Sequence, residues 1–240
     1  IDYLFKEENK QKVKSVFEPY SELKIKIFIH ELKRIDFYLG QIFNYVEKNY
    51  STEEYLITIV TDHGHSYFSK STDSLSTSKI SIPWMIRGKD IPATVSNEIT
   101  ENVDVFNTLT QKSEININGI KTDSNLPEVL GGKKARNFSF SESFYPTQAY
   151  KSIIQDQEYT FNFETQCKAN DNGYFKLDPY LCSLKKSNSS EEVINDNLYN
   201  KYLQECLKKA NKCLNNHEKR KKIISENPEW FKMRLKKLSN

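Results

Sequence analysis

Between Ser21 and Asn49, Phe28, Leu32, Ile35, Leu39, Ile42 and Val46 recur at alternating steps of four and three, which predicts a long amphipathic helix with one buried face. Tyr50-Ser-Thr-Glu-Glu54 interrupts that period, and the β-branched and aromatic run from Tyr55 to Val60 predicts a buried strand. A sheet formed by such strands is the expected partner for the helix, and helix, turn, strand and loop together make an α/β unit. Ser66 to Lys79 is polar, rich in Ser and Thr and without period, so it reads as a loop. A second strand is expected over Ile80 to Ile86, with Pro83 at its beginning or on an edge. Val103, Phe106 and Leu109 predict a short amphipathic helix capped near Thr100.

The pattern changes after the Gly131-Gly132 turn. Phe138 to Ser141, Ala149 to Ile154 and Tyr159 to Phe163 alternate apolar and polar positions, as expected of a small antiparallel sheet. Asp171-Asn-Gly173 and Leu177-Asp-Pro179 read as turns. From Glu191 to about Ile224 a single helix is expected, with Leu198, Tyr202, Cys206, Ala210, Cys213 and His217 on or near one stripe. These readings divide the chain into an α/β core (residues 1–132), a small sheet (133–186) and a helical tail (187–240).

Charge sharpens that division. The net charge is +3, yet residues 201–240 hold 12 of the 35 Lys and Arg against 4 of the 32 Asp and Glu, so a basic tail follows a mildly acidic body. The tail could meet an anionic membrane surface, an acidic polymer or another part of the parent protein, or it could present a solvated helical face. Nothing points to a specific nucleic acid. A hydrophobic content of 37% is adequate for a core, and no apolar run approaches the roughly 20 residues of a membrane span. Cys167, Cys182, Cys206 and Cys213 form neither a disulfide framework nor a Cys-x-x-Cys pair. The compartment stays open.

Candidate chemistry is concentrated at Thr61-Asp62-His63-Gly64-His65, directly after the first strand. Open α/β sheets place their ligands beyond the carboxyl ends of strands. A carboxylate beside an imidazole suits a divalent cation that polarises an anionic ester, and Gly64 permits a sharp turn behind the pair.

Further features follow in order: Ile35-Asp36 and Leu39-Gly40 on the long helix, Ser81-Ile-Pro-Trp-Met-Ile-Arg-Gly88, Asn102-Val-Asp-Val-Phe-Asn-Thr-Leu109, and Asn137-Phe-Ser-Phe-Ser-Glu142. Over Ser21 to Phe163 this series resembles the C-terminal half of the sulfatase family, within the alkaline phosphatase superfamily. The resemblance implies part of an alkaline-phosphatase-like mixed sheet flanked by helices, followed by the small sheet and the basic tail. It implies Asp62 and His63 as metal ligands for one divalent ion, calcium or manganese ahead of zinc. Lys70, in Lys70-Ser-Thr72, resembles the lysine that contacts the sulfate or phosphate group, and Lys79 competes for that role. His65 is a third ligand, a general acid for the leaving group or a loop residue. Asp36 and Gly40 are expected to serve packing, His30 to be exposed, His217 to be structural, and Glu142 either to reach toward the site or to lie exposed.

The family's nucleophile, a modified Cys or Ser in Cys/Ser-x-Pro-x-Arg, has no counterpart among these residues. The expectation is therefore a metal-dependent sulfate or phosphate ester hydrolase whose nucleophile lies in an N-terminal half outside this sequence. The alternatives are a phosphoryl or phosphoethanolamine transferase of the same superfamily, or a non-catalytic binding module that keeps the fold.

Overall fold

A computed structural model describes residues 22–65, 73–115, 124–145, 147–170, 174–187 and 189–226. The chain is of mixed α/β class, with two antiparallel sheets and helices, and it divides into compact units between Arg136 and Asn137.

In the first unit the predicted long helix is present as α1 (Glu22–Asn49), and strand β1 (Leu56–Val60) follows a single 3-10 turn. The second strand begins later than expected. Thr77–Ile80 form a short helix, α2, and β2 runs over Trp84–Gly88, directly after the proline that lacks an N–H for a ladder. β1 and β2 pair antiparallel with Leu56 opposite Gly88 and Val60 opposite Trp84, and the Trp84 indole N–H donates to Thr58 Oγ1 at 3.0 Å. The expected mixed sheet is, among the described residues, this two-stranded ribbon.

That ribbon explains a correction to the reading of α1. No described residue of the helix is buried, and Leu32, Ile35 and Ile42 on the predicted inner stripe are each about half exposed. A helix of 28 residues is about 42 Å long, whereas a five-residue strand spans about 17 Å, so two strands cannot cover it. Arg87 of β2 pairs with Glu47 near the helix end at 2.6 Å.

Helix α3 (Asn102–Lys112) is capped by Glu101 rather than Thr100, and its N-terminus rests on a buried carboxylate. Asp104 is 1% exposed and fully engaged. Its Oδ2 accepts the Glu101 N–H at 2.8 Å and Arg136 Nε–H at 3.2 Å; its Oδ1 accepts the Asn125 N–H at 2.7 Å and Arg136 Nη2–H at 2.5 Å. Glu101 adds a second carboxylate 3.3 Å from Arg136 Nη1. One aspartate thus closes the first turn of α3 and fixes the segments that return past it.

The second unit holds the predicted small sheet, with four strands rather than three: β3 (Ser139–Ser143), β4 (Ala149–Gln155), β5 (Tyr159–Lys168) and β6 (Tyr180–Lys186), each antiparallel to the next. Phe140, Ile154, Phe161 and Leu184 lie opposite one another across the four strands. Tyr150 stacks on Phe175 with centroids 4.6 Å apart, and its hydroxyl donates to Glu142 Oε2 at 2.8 Å.

Helix α4 (Asp196–Glu226) packs across β4 and β5. The stripe read from the sequence is the one that packs: Tyr202, Cys206 and Ala210 are buried in the core, and Leu198 and Cys213 lie against it. The Tyr202 hydroxyl donates to Asp156 at the β4–β5 turn. The His217 ring packs nearly perpendicular to that of Phe144, a structural placement as expected. Among the described residues, no helix is long and apolar enough to cross a membrane.

Candidate metal and active site

The chain leaves β1 at Val60 and enters the loop that carries the candidate ligands. Asp62 Oδ1 accepts the His63 backbone N–H at 2.8 Å, which turns the carboxylate back over its own chain. The His63 ring lies with Nδ1 2.8 Å from the Gly64 carbonyl oxygen. A carbonyl only accepts, so Nδ1 carries the proton and, in the neutral ring, Nε2 holds the free lone pair. Nε2 stands 3.5 Å from Asp62 Oδ2, with both side chains open to solvent.

This geometry fits a cation. Donors bound to one ion at about 2.1 Å are separated by roughly 3.0–3.5 Å in octahedral to tetrahedral arrangements. A ligating imidazole commonly donates its other N–H to a backbone carbonyl, as His63 does to Gly64. The pair supplies only two donors, since among the described residues no three His, Cys, Asp or Glu side chains come together to hold a metal. His65 therefore does not stand with Asp62 and His63 as a preformed triad.

Two contacts fasten the loop on opposite sides. Gly64 N–H donates to the Lys79 carbonyl on α2 at 2.7 Å. From α3, Asn102 Nδ2 donates to the carbonyl oxygens of Asp62 at 2.9 Å and Thr61 at 3.3 Å. The strand, the short helix and the start of α3 thus converge on the four residues from Thr61 to Gly64.

The structure also brings Lys79 into electrostatic range of His65. The His65 pKa is pushed below the ordinary imidazole value, first by partial removal from solvent and then by the charges of Lys79, His63 and Lys24, which favours the neutral ring. Lys79 is half-buried on α2, and Lys70 lies outside the described residues. His30 is exposed on α1. Glu142 accepts the Tyr150 hydroxyl within the second unit.

Sequence reasoning placed Asn102 and Asp104 in the series that carries the resemblance without giving either a role, and gave Arg136 none. Their partners lie 21 to 41 residues away, beyond any local spacing rule. The one available signal was an acidic residue in the first turn of a predicted helix, where the helix dipole favours it.

A sequence model of the family described as Sulfatase matches residues 11–115, the segment that holds α1, both strands of the ribbon, the ligand loop and α3. Over that segment the sequence is similar to the sulfatase family of the alkaline phosphatase superfamily, whose members are hydrolases and transferases. Members of the family generally bind a divalent metal. Among curated proteins, none matches the chain.

Proposed function

We propose that this chain is the metal-binding portion of a sulfatase-like enzyme that hydrolyses a sulfate or phosphate ester. The observation that carries the reading is the Asp62–His63 pair: two oriented donors 3.5 Å apart, with the His63 tautomer set by the Gly64 carbonyl. Asp62 and His63 would hold one divalent cation, calcium or manganese ahead of zinc, which when bound neutralises ester oxygens and lowers the pKa of a coordinated nucleophile. Lys79, or Lys70, would place positive charge on the transferring group, where it is worth most as negative charge develops. A neutral His65 would accept a proton from an attacking hydroxyl and, once charged, return it to the leaving group. No Cys/Ser-x-Pro-x-Arg sequence occurs here, so in this reading the nucleophile comes from a preceding part of the same polypeptide.

The test is metal content and turnover of the natural full-length protein and its Asp62→Ala variant. Loss of both bound metal and activity is expected, and unchanged metal content would overturn the assignment. Parallel assays with an aryl sulfate and an aryl phosphate decide which ester is cleaved. Transfer of the group to an alcohol in place of water would make the enzyme a transferase of the same superfamily.

The outer side of α4 supports a proposal for the basic tail. Lys208 and Lys222 expose about three-quarters of their side chains, and their pairs with Glu205 and Glu226 are long at 3.6 and 3.8 Å. Such exposed pairs hold little energy, so this face would bind an anionic surface in a salt-dependent way.

A further inference from the structure

We propose that Asn102 is a positioning residue for the Asp62–His63 pair, holding the backbone on which both donor side chains are mounted. The proposal rests on the metal reading for what the loop holds.

Asp62 Oδ2 and His63 Nε2 stand 3.5 Å apart on side chains that are open to solvent, so no surrounding packing fixes the pair and its spacing depends on the main chain that carries it. Asn102 is placed to hold that chain. Its single Nδ2 group reaches two successive carbonyl oxygens, those of Thr61 and Asp62, and so sets the orientation of the peptide that precedes each donor.

The mount for Asn102 is rigid. It is the first residue of α3, flanked by Glu101 and by the buried Asp104, which is held by two backbone N–H groups and a two-pronged guanidinium contact. On the far side of His63, the Gly64 N–H to Lys79 bond completes the restraint. Asn102 itself is exposed, and a solvent-exposed hydrogen bond adds little to global stability. Its consequence is therefore local, at the loop.

The experiment uses the natural full-length protein with Mn2+ as the probe, comparing wild type with Asn102→Ala, Asn102→Gln and Asp62→Ala. Expected for Asn102→Ala is a fall in Mn2+ affinity of about 10–100-fold, the usual effect of losing a residue that orients ligands. In the metal-free state the Gly64 amide should exchange faster, while the thermal midpoint and the protection of the Asn125 amide hold. Asn102→Gln, which retains the amide, should recover part of the affinity.

Wild-type affinity together with wild-type Gly64 exchange in Asn102→Ala would overturn the proposal. An equal loss of protection at Gly64 and Asn125 would also overturn it, because it would make Asn102 a general structural residue. Should Asn102→Ala not fold, Asn102→Asp removes the donor at nearly constant shape, and a carboxylate is favourable at a helix start; Gly64 exchange is then read in that variant. If wild type and Asp62→Ala bind Mn2+ equally, the metal reading fails, and the exchange comparison alone decides the role of Asn102.

Discussion

Gly64 lies directly against Ser78: a Cβ built on Gly64 would stand 2.1 Å from the Ser78 carbonyl oxygen and 3.2 Å from the Cα of Lys79. The obstacle is backbone on both counts, so no side-chain rotation relieves it. The glycine is required here for close approach, which lets the loop bond to α2 through Gly64 N–H and the Lys79 carbonyl. Gly64→Ala is expected to push the loop off α2, costing about 1–3 kcal/mol as overpacking does, and to weaken Mn2+ binding with it. Thermal unfolding and Mn2+ titration of the variant check this. A normal midpoint with normal affinity would show that the loop tolerates the displacement.

The second prediction concerns the anchor under α3. Arg136 is 13% exposed and faces Asp104 and Glu101, so removing the central carboxylate takes the closest anion from a largely buried cation and strips acceptors from the Glu101 and Asn125 amides. Asp104→Ala should destabilise the first unit by about 3–5 kcal/mol, the range for breaking one partner of a buried pair. Glu101→Ala should cost less, because its contact is longer and Asp104 still satisfies the guanidinium. Urea unfolding of the two variants gives the comparison, and equal losses would contradict the ranking.

Alkaline pH should act on the second unit through Cys206. Burial pushes its thiol from the ordinary value of 9.0 up to about 12, and burial likewise raises Tyr150 and Tyr202. A raised folded-state pKa means that the unfolded chain loses its proton first. The protonated thiol's contribution is therefore complete below pH 9 and is lost as pH climbs toward 12. In that window stability should fall by about 1.4 kcal/mol per pH unit for each such group. Thermal midpoints between pH 8 and 11 should decline, less steeply in Cys206→Ala than in wild type. Parallel slopes would show that the thiol does not titrate in this way.

Much of this arrangement was legible because it is periodic. The α4 stripe through Tyr202, Cys206 and Ala210 could be read from spacing, and those residues are the buried ones. The period of α1 was legible as well, but its burial was not, since a repeat shows where an apolar face lies and not whether anything covers it. β6 is not legible in the same way, because it follows directly on Leu177-Asp-Pro179, which reads as a turn. In the candidate site, Asp62 and His63 stand out by residue type after a strand. Asn102 and Arg136 do not, because a clamp made across 32 to 41 residues leaves no mark on local sequence.

The order β3-β4-β5-β6 follows the order of synthesis, and each strand finds its neighbour through a nearby connection. Pairing between sequence neighbours keeps the loops to be closed short, which favours assembly of the sheet. Its cover comes last: Tyr202, Cys206 and Ala210 lie on a helix that begins only at Asp196, after every strand is complete. On a translating ribosome the strands therefore emerge ahead of their lid, and the aromatic surface around Phe161 and Phe163 waits for it. A chain truncated before Asp196 would present the sheet uncovered, the kind of intermediate that chaperones hold and that aggregates in their absence.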